Sequence, residues 1–292
     1  MLIASLLFML VGTGSIYFIV VALKQISAEF AWPRAIPSIA YALQYGGAGI
    51  GGIFMGWLLD RRGMMVPAFI GATMVGLGAI LTSYVQTQWE LFFIYGVMLG
   101  FFGRSSLFAP LTANITRWFE HNRSLAVGVV GSGQGLAGLM WPQVFHYLIA
   151  AVGWRQTALL YGLFALGTMP LAIILRQRPP TVKPPVPRRV DRDINAVDIR
   201  APMTPRMIQF LLSTASIGCC VAMSLPLAHI VSYVSDLGYD PARGAEVLSL
   251  MLGSSALASF FGVGFLGGRY GGLRAILIFS STQAALLFVL AF

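Results

Sequence analysis

Nine stretches of mostly apolar residues follow one another along the 292-residue chain, and they restrict its fold more than any other feature. A helix needs about 20 apolar residues to cross a bilayer, and within the hydrocarbon it must pair its own backbone groups. The stretches lie at approximately 2–23, 35–58, 66–86, 89–112, 124–150, 156–176, 207–235, 242–266 and 271–291. The sequence therefore predicts an all-α membrane protein, a helical bundle with about nine transmembrane helices.

The composition excludes a water-soluble fold and, with it, most classes of enzyme. Charged residues make up 10% of the chain, whereas a soluble domain carries about 25%. The three histidines, His121, His146 and His229, are dispersed and lack the spacing of metal ligands. We therefore expect a lipid bilayer as the surroundings, no cofactor, no enzymatic activity and no nucleic-acid partner, despite the net charge of +9.

The distribution of basic residues predicts the orientation of the chain in the membrane. Fourteen of the 19 lysines and arginines lie in the loops after the even-numbered spans, and four lie in the opposite loops. Because basic loops stay on the cytoplasmic side, the N-terminus and the even loops are predicted to be cytoplasmic.

A polar segment divides the chain into two parts. Residues 177–206 are rich in proline and arginine, a composition typical of an extended linker rather than a packed element. The predicted organisation is a six-helix bundle at 1–176, a cytoplasmic linker at 177–206 and a partial, three-helix bundle at 207–292. The linker is interpreted as a connector, with a lipid-binding patch as the alternative.

A short motif occurs once in each part, between the second and third span. Residues 56–63 read GWLLDRRG, and residues 264–271 read GFLGGRYG. Parallel repeats around a central linker are a transporter architecture, with the substrate site between the two halves. The pair of motifs resembles the signature of the major facilitator superfamily and its degenerate second copy.

Further motifs resemble the monocarboxylate-transporter-like bacterial carriers of that superfamily. They are EFAWPR at 29–34, RWF at 117–119, RSLAVG at 123–128 and GWR at 153–155. This resemblance implies a secondary transporter that moves a small organic anion by alternating access, with a proton as the co-transported partner. It also implies a bacterial inner membrane as the location. It implies nothing about oligomeric state.

The chain departs from the family pattern in two ways. The superfamily usually has twelve helices, whereas this chain ends at Phe292 within its ninth span. We therefore expect a fragment, a truncated gene or an incompletely assigned coding sequence. The monocarboxylate carriers often place a carboxylate and an arginine inside helix eight, and residues 248–265 contain neither.

Arg104 is the most informative candidate for substrate binding. It lies well inside the fourth apolar span, where an arginine costs about 2.5–3.5 kcal/mol on insertion scales and must face protein or water. Its planar guanidinium stays charged and matches a carboxylate with two parallel hydrogen bonds. We interpret it as the anion-binding residue of a central cavity; the alternative is a structural arginine bound to neighbouring backbone.

Four other residues are weaker candidates. Tyr41 and Gln134 are uncharged polar groups within spans, where they can bind substrate or bond to another helix. His229 can relay a proton or bind the anion, because imidazole titrates near neutral pH, or it can simply reach the interface. Glu246 can accept a proton, although an ion pair with Arg243 three residues earlier is the favoured interpretation.

The resemblance assigns a gate to the first motif and to the start of span five. The gating candidates are Gly56, Asp60, Arg61, Gly63 and Arg123. In the family the carboxylate corresponding to Asp60 caps the eleventh helix when the cytoplasmic side is closed, and a carboxylate at a helix N-terminus is favourable by about 0.3–1 kcal/mol. Because the eleventh helix is expected to be missing, we expect this contact not to form.

Glycines spaced four apart predict close approach of helices. Such pairs occur at 47 and 51, 52 and 56, 96 and 100, and 131 and 135. Small residues on one helical face let backbones pack closely in membranes.

Two alternatives to anion uptake stay open. The chain can be an exporter of a neutral or cationic compound, in which Arg104 is structural. It can also be a truncated membrane module that does not transport.

Overall fold

The computed structural model describes residues 1–119, 123–176, 204–266, 269 and 272–291, and within these ranges every regular element is helical. The elements, in chain order, are α1 Leu2–Phe30, α2 Ala35–Arg62, α3 Met65–Ser83, α4 Gln88–Trp118, α5 Arg123–Val152, α6 Trp154–Arg176, α7 Pro205–Asp236, α8 Pro241–Ala258 with a π-helical continuation Ser259–Leu266, and α9 Gly272–Ala291. The prediction of an all-α membrane fold is confirmed.

Six of the described helices are long and apolar enough to cross a membrane by length and composition. They are Leu2–Phe30, Met65–Ser83, Gln88–Trp118, Arg123–Val152, Trp154–Arg176 and Ala242–Gly262. The total of nine spans stays a prediction. Most of the predicted linker, residues 177–203, lies outside the described residues, so the division into two bundles also stays a prediction.

Helix α1 lies at the centre of the first six helices. All side chains from Val11 to Val20 are buried, as expected of a helix that is apolar on every face. It packs along α5, while α3 packs on α6 and α2 on α4. These pairs leave one side of α1 and α2 facing the helices that follow residue 204.

Helices α5 and α8 join the two parts of the chain along their whole length. A Cβ on Gly128 would lie 2.8 Å from the Cα of Gly264, which shows that the backbones touch at one end. At the other end the Gln143 side-chain amide donates to the Ser249 hydroxyl over 3.3 Å. Contact between small residues is the usual way to bring membrane helices together.

Arg155 ties three helix ends together on the side opposite the N-terminus. Its Nε donates to Glu29 of α1 over 2.9 Å. Its two terminal nitrogens donate to the carbonyls of Ser83, over 2.6 Å, and Val85, over 3.0 Å, at the end of α3. The indole of Trp154 donates to the same Glu29 carboxylate, and the Arg155 guanidinium lies 4.6 Å from the Trp154 ring centroid. Trp154 and Arg155 of the sequence GWR therefore hold the ends of α1, α3 and α6 together, and we call this set of contacts the clamp.

We expect Arg155→Ala to lower the thermal stability of the protein purified in detergent. Hydrogen bonds to charged groups contribute about 1.5–3 kcal/mol, and the substitution removes three of them at once. Arg243→Ala is the matched control, because its exposed pair with Glu246 three residues along the same helix belongs to a class worth about 0.3–0.5 kcal/mol. Equal shifts in melting temperature for the two variants would contradict the clamp.

Candidate functional site

A cavity of about 1050 Å³ opens between the two parts of the chain. Its wall is built from α1, α2, α4 and α5 on one side and from α7 on the other. Three of the predicted substrate-binding residues, Tyr41, Arg104 and Gln134, line it. Ligand sites in proteins typically have volumes of about 300–1,000 Å³, so the cavity is large enough for a small organic molecule with its hydration.

Arg104 reaches this cavity from an irregular part of α4. Residues Ile94–Arg104 form a π-helix, closed by a hydrogen bond from the Ser105 N–H to the Gly100 carbonyl. A π-turn adds one residue, which rotates the following face by about 100° relative to an α-helix. Just beyond, Phe108 is the break before Ala109–Trp118. The helix is thus distorted where its charged residue faces the cavity.

The guanidinium of Arg104 lies between two aromatic rings. Its Cζ atom is 4.8 Å from the ring centroid of Tyr45 and 5.6 Å from that of Phe108. The residue is 8% exposed. No hydrogen bond or ion pair joins this guanidinium to another side chain or carbonyl in the described part of the protein. Stacking on aromatic faces is favourable for a cation, yet it leaves the N–H donors free for a ligand.

Arg104 also sets the charge of the cavity. Among the described residues that line it, Arg104 is the one charged side chain, and the rest of the wall is apolar apart from a few hydroxyl, thiol and amide groups. A positive charge surrounded by an apolar wall interacts strongly with an anion, since water screens it less than at a surface. The electrostatics of the site therefore favour an anionic ligand.

Tyr41 and Gln134 supply polar groups to the same cavity. The Tyr41 hydroxyl is buried and makes no hydrogen bond of good geometry within the described residues, although the Tyr45 side chain is close to it. Its ring centroid lies 5.1 Å from that of Tyr45, the ring on which the Arg104 guanidinium stacks. A hydroxyl donor and an amide are typical of the groups that orient a ligand in an otherwise apolar pocket.

A related polar residue of α2 has a structural role instead. The Gln44 amide donates to the Ser15 hydroxyl of α1 over 2.7 Å. Such a bond between helices satisfies a donor that would otherwise be buried without a partner.

Sequence reasoning missed the aromatic partners of Arg104. Tyr45 follows Tyr41 by four residues, and Phe108 follows Arg104 by four. Residues four apart share a helical face, so this spacing is the signal that could have identified both.

Of the two candidates for proton coupling, Glu246 does not line the cavity. Glu246 is half-exposed and pairs with Arg243 over 3.2 Å, which is the ion pair that the sequence favoured. His229 belongs to α7, but its side chain lies outside the described part of the protein. Their role in proton transfer stays a prediction.

The first motif forms the end of α2. Asp60 pairs with Arg117 of α4 over 2.6 Å, so its partner in the described chain belongs to the same six-helix part. Arg61 stacks 4.4 Å from the Trp57 ring centroid. Gly63 ends the helix with φ of 77°, a conformation that favours glycine.

The remaining gating candidates are less constrained. Arg123 is exposed at the start of α5, and a Cβ on Gly56 would meet no atom within 4 Å among the described residues. The gating role of all five residues stays a prediction.

Fold and site together define a multi-pass helical membrane protein with a charged cavity between two groups of helices. The sequence profile of the Major Facilitator Superfamily matches residues 2–292. The chain therefore belongs to the major facilitator superfamily of transporters, as its motifs predicted.

Three relatives illustrate the similarity. Monocarboxylate transporter 13 of Bos taurus is 26% identical over 250 residues, which are 85% of this chain and 55% of that protein. Monocarboxylate transporter 11 of Homo sapiens is 26% identical over 222 residues, 76% of this chain and 45% of that protein. MFS-type transporter pynF of Aspergillus niger is 24% identical over 265 residues, 90% of this chain and 57% of that protein. The chain spans about half the length of the curated relatives it matches.

Proposed function

We propose that this protein carries a small monocarboxylate-like organic anion across a membrane by alternating access. The observation that carries the proposal is Arg104, a buried guanidinium that faces the cavity and is held by aromatic rings rather than by a carboxylate. A carboxylate bound there would complete the hydrogen bonding of the guanidinium. Relatives whose names denote monocarboxylate transporters support the same substrate class.

A proton is the proposed co-transported ion. Moving one negative charge into a cell costs about 2.3 kcal/mol per 100 mV of membrane potential, inside negative, and a proton moving with the anion cancels that charge. Acidic residues are absent from the described lining of the cavity. His229 and Glu246 therefore remain the proposed proton-linked groups.

The proposed location is a cell membrane, with the N-terminus and residues 177–206 in the cytoplasm. The relatives compared above come from mammals and a fungus. The assignment to a bacterial inner membrane is therefore a proposal from the sequence motifs.

The function is tested by uptake of radiolabelled carboxylates into proteoliposomes under an imposed proton gradient. We expect lactate or pyruvate uptake to be faster with the acidic side outside, and unlabelled carboxylates to compete. The corresponding neutral amides serve as matched competitors and are expected to have no effect. The proposal would be overturned if uptake responded neither to the proton gradient nor to carboxylate competitors. That result would favour the alternative, export of a neutral compound through the largely apolar cavity.

A further inference from the structure

Three charged residues join the two parts of the chain at the end opposite the N-terminus. The Asp236 carboxylate at the end of α7 contacts two cations of the first part. Its Oδ2 lies 3.3 Å from Nη1 of Arg34, and its Oδ1 lies 4.0 Å from Nζ of Lys24. One carboxylate is thus shared by two basic side chains, each facing a different oxygen. We call Lys24, Arg34 and Asp236 the outer cluster.

The outer cluster lies beyond one end of the cavity. Leu23, adjacent to Lys24, lines the cavity, and so do Pro37 and Ser38, about one turn beyond Arg34. Leu227 of α7 lines it from the other side, nine residues before Asp236. By the distribution of basic residues, this end is predicted to face away from the cytoplasm. We call it the mouth of the cavity.

Helix electrostatics do not account for two of these charges. Asp236 is the last residue of α7, where the helix dipole disfavours a negative charge. Arg34 caps the start of α2, where the dipole disfavours a positive charge. Asp240, four residues after Asp236, shows the favourable arrangement, since it caps the start of α8 by accepting from the Ala242 N–H over 2.9 Å. The ion pair between Asp236 and Arg34 therefore offsets the unfavourable interaction of each charge with its own helix dipole.

We propose that Lys24 and Arg34 form an outer carboxylate-binding site, which Asp236 occupies while the mouth of the cavity is closed. A carboxylate arriving from outside takes the place of Asp236 on the two cations, and α7 is then free to move away from α1 and α2. The carboxylate class of the ligand rests on the proposed function. The closing contact between the two parts of the chain is independent of the proposed function.

The rate at which a native cysteine in the cavity reacts with an external reagent can measure opening of the mouth. Cys220 lines the cavity and is exposed, and Cys219 is the other cysteine of the chain. In a Cys219→Ala background, a membrane-impermeant maleimide added outside right-side-out vesicles will label Cys220 at a rate set by opening of the mouth. We expect Asp236→Asn to raise this rate about two- to fivefold, the size expected for loss of an exposed ion-pair network. Asp240→Asn, which keeps a capping side chain, is expected to label at the parent rate.

Two further outcomes decide whether the contact closes the mouth. In a Lys24→Ala background, exchanging the closer pair with Arg34→Asp and Asp236→Arg is expected to restore slow labelling relative to Asp236→Asn, because the new charges again attract each other. Parent-like labelling of Asp236→Asn, in protein that remains monodisperse, would overturn the closing role.

The carboxylate site is tested in an Arg104→Gln background, where the anion site of the cavity is removed. External acetate is expected to speed Cys220 labelling more than chloride at equal ionic strength, because it competes with Asp236. The double substitution Lys24→Ala and Arg34→Ala is expected to abolish the difference. Equal effects of acetate and chloride would overturn the outer carboxylate site. Failure of the proposed function would appear separately, as undiminished carboxylate uptake in Arg104→Gln.

Discussion

Uptake of a short carboxylate is expected to require a roughly 10- to 100-fold higher concentration for half-saturation when Arg104 is replaced by glutamine. The substitution removes hydrogen bonds to a charged group, worth about 1.5–3 kcal/mol, and each 1.4 kcal/mol corresponds to about tenfold in affinity. Arg104→Lys keeps the charge but loses the planar fork and the stacking on Tyr45. We therefore expect Arg104→Lys to lose most transport as well, as measured by initial uptake rates over a range of concentrations.

Thermal stability separates a binding role of Arg104 from a structural one. A structural arginine destabilises the protein when it is removed. Arg104 makes no hydrogen bond to the described residues, and it carries the cost of a charge within the membrane. We therefore expect Arg104→Gln to melt at or above the parent temperature while transporting poorly. Arg206→Gln, at an exposed position at the start of α7, is the control for loss of an arginine. A strongly lowered melting temperature with an unchanged half-saturating concentration would contradict the binding role.

The helices and the principal cavity residue could be predicted from the sequence because both depend on strong local signals. A run of apolar residues long enough to cross a bilayer has few alternatives to a helix. Arg104 was identifiable because a charge within such a run is costly and must have a cause. The structure places it on the cavity together with Tyr41 and Gln134, as their predicted roles require.

The surroundings of Arg104 could not be predicted from the same signals. The π-helix Ile94–Arg104 packs against α2 and α3, and it shifts the helical periodicity on which face assignments rely. Similarly, Asp60 is partnered by Arg117, 57 residues further along the chain, and such a pairing leaves no local pattern. Pairings between distant residues are consequences of the tertiary fold.

The glycines also show that sequence spacing does not by itself identify tertiary contacts. Spacing alone predicts that every pair of glycines four apart can support close packing. In the structure, a Cβ on Gly47 would overlap the Gly96 carbonyl, and a Cβ on Gly51 would overlap the Phe101 carbonyl. Added Cβ atoms at Gly52, Gly56 and Gly131 would meet no described atom within 4 Å. The same spacing thus occurs at a tight helix contact and at open positions.

Replacing Gly47 and Gly51 together by alanine is therefore expected to be strongly destabilising. The atoms that each new methyl group would meet belong to the backbone of α4, so they cannot turn aside as a flexible side chain would. Overpacking typically costs about 1–3 kcal/mol per site, which for a chain of this size is several degrees of melting temperature at each position. We expect little monodisperse protein after detergent extraction, and an early unfolding transition in what remains.

Gly46→Ala is the matched control, because it makes the same change on the same helix in open space. Alanine favours a helix over glycine by about 1 kcal/mol, so this variant is expected to be neutral or slightly stabilising. We thus predict that the change in thermal stability has opposite signs for Gly46→Ala and for the double substitution at Gly47 and Gly51. Size-exclusion profiles and melting curves measured side by side will test it. If the double variant and Gly46→Ala behaved alike, α2 and α4 would not be in backbone contact. The arrangement of Tyr45 against Arg104 would then also differ from the one in the structure.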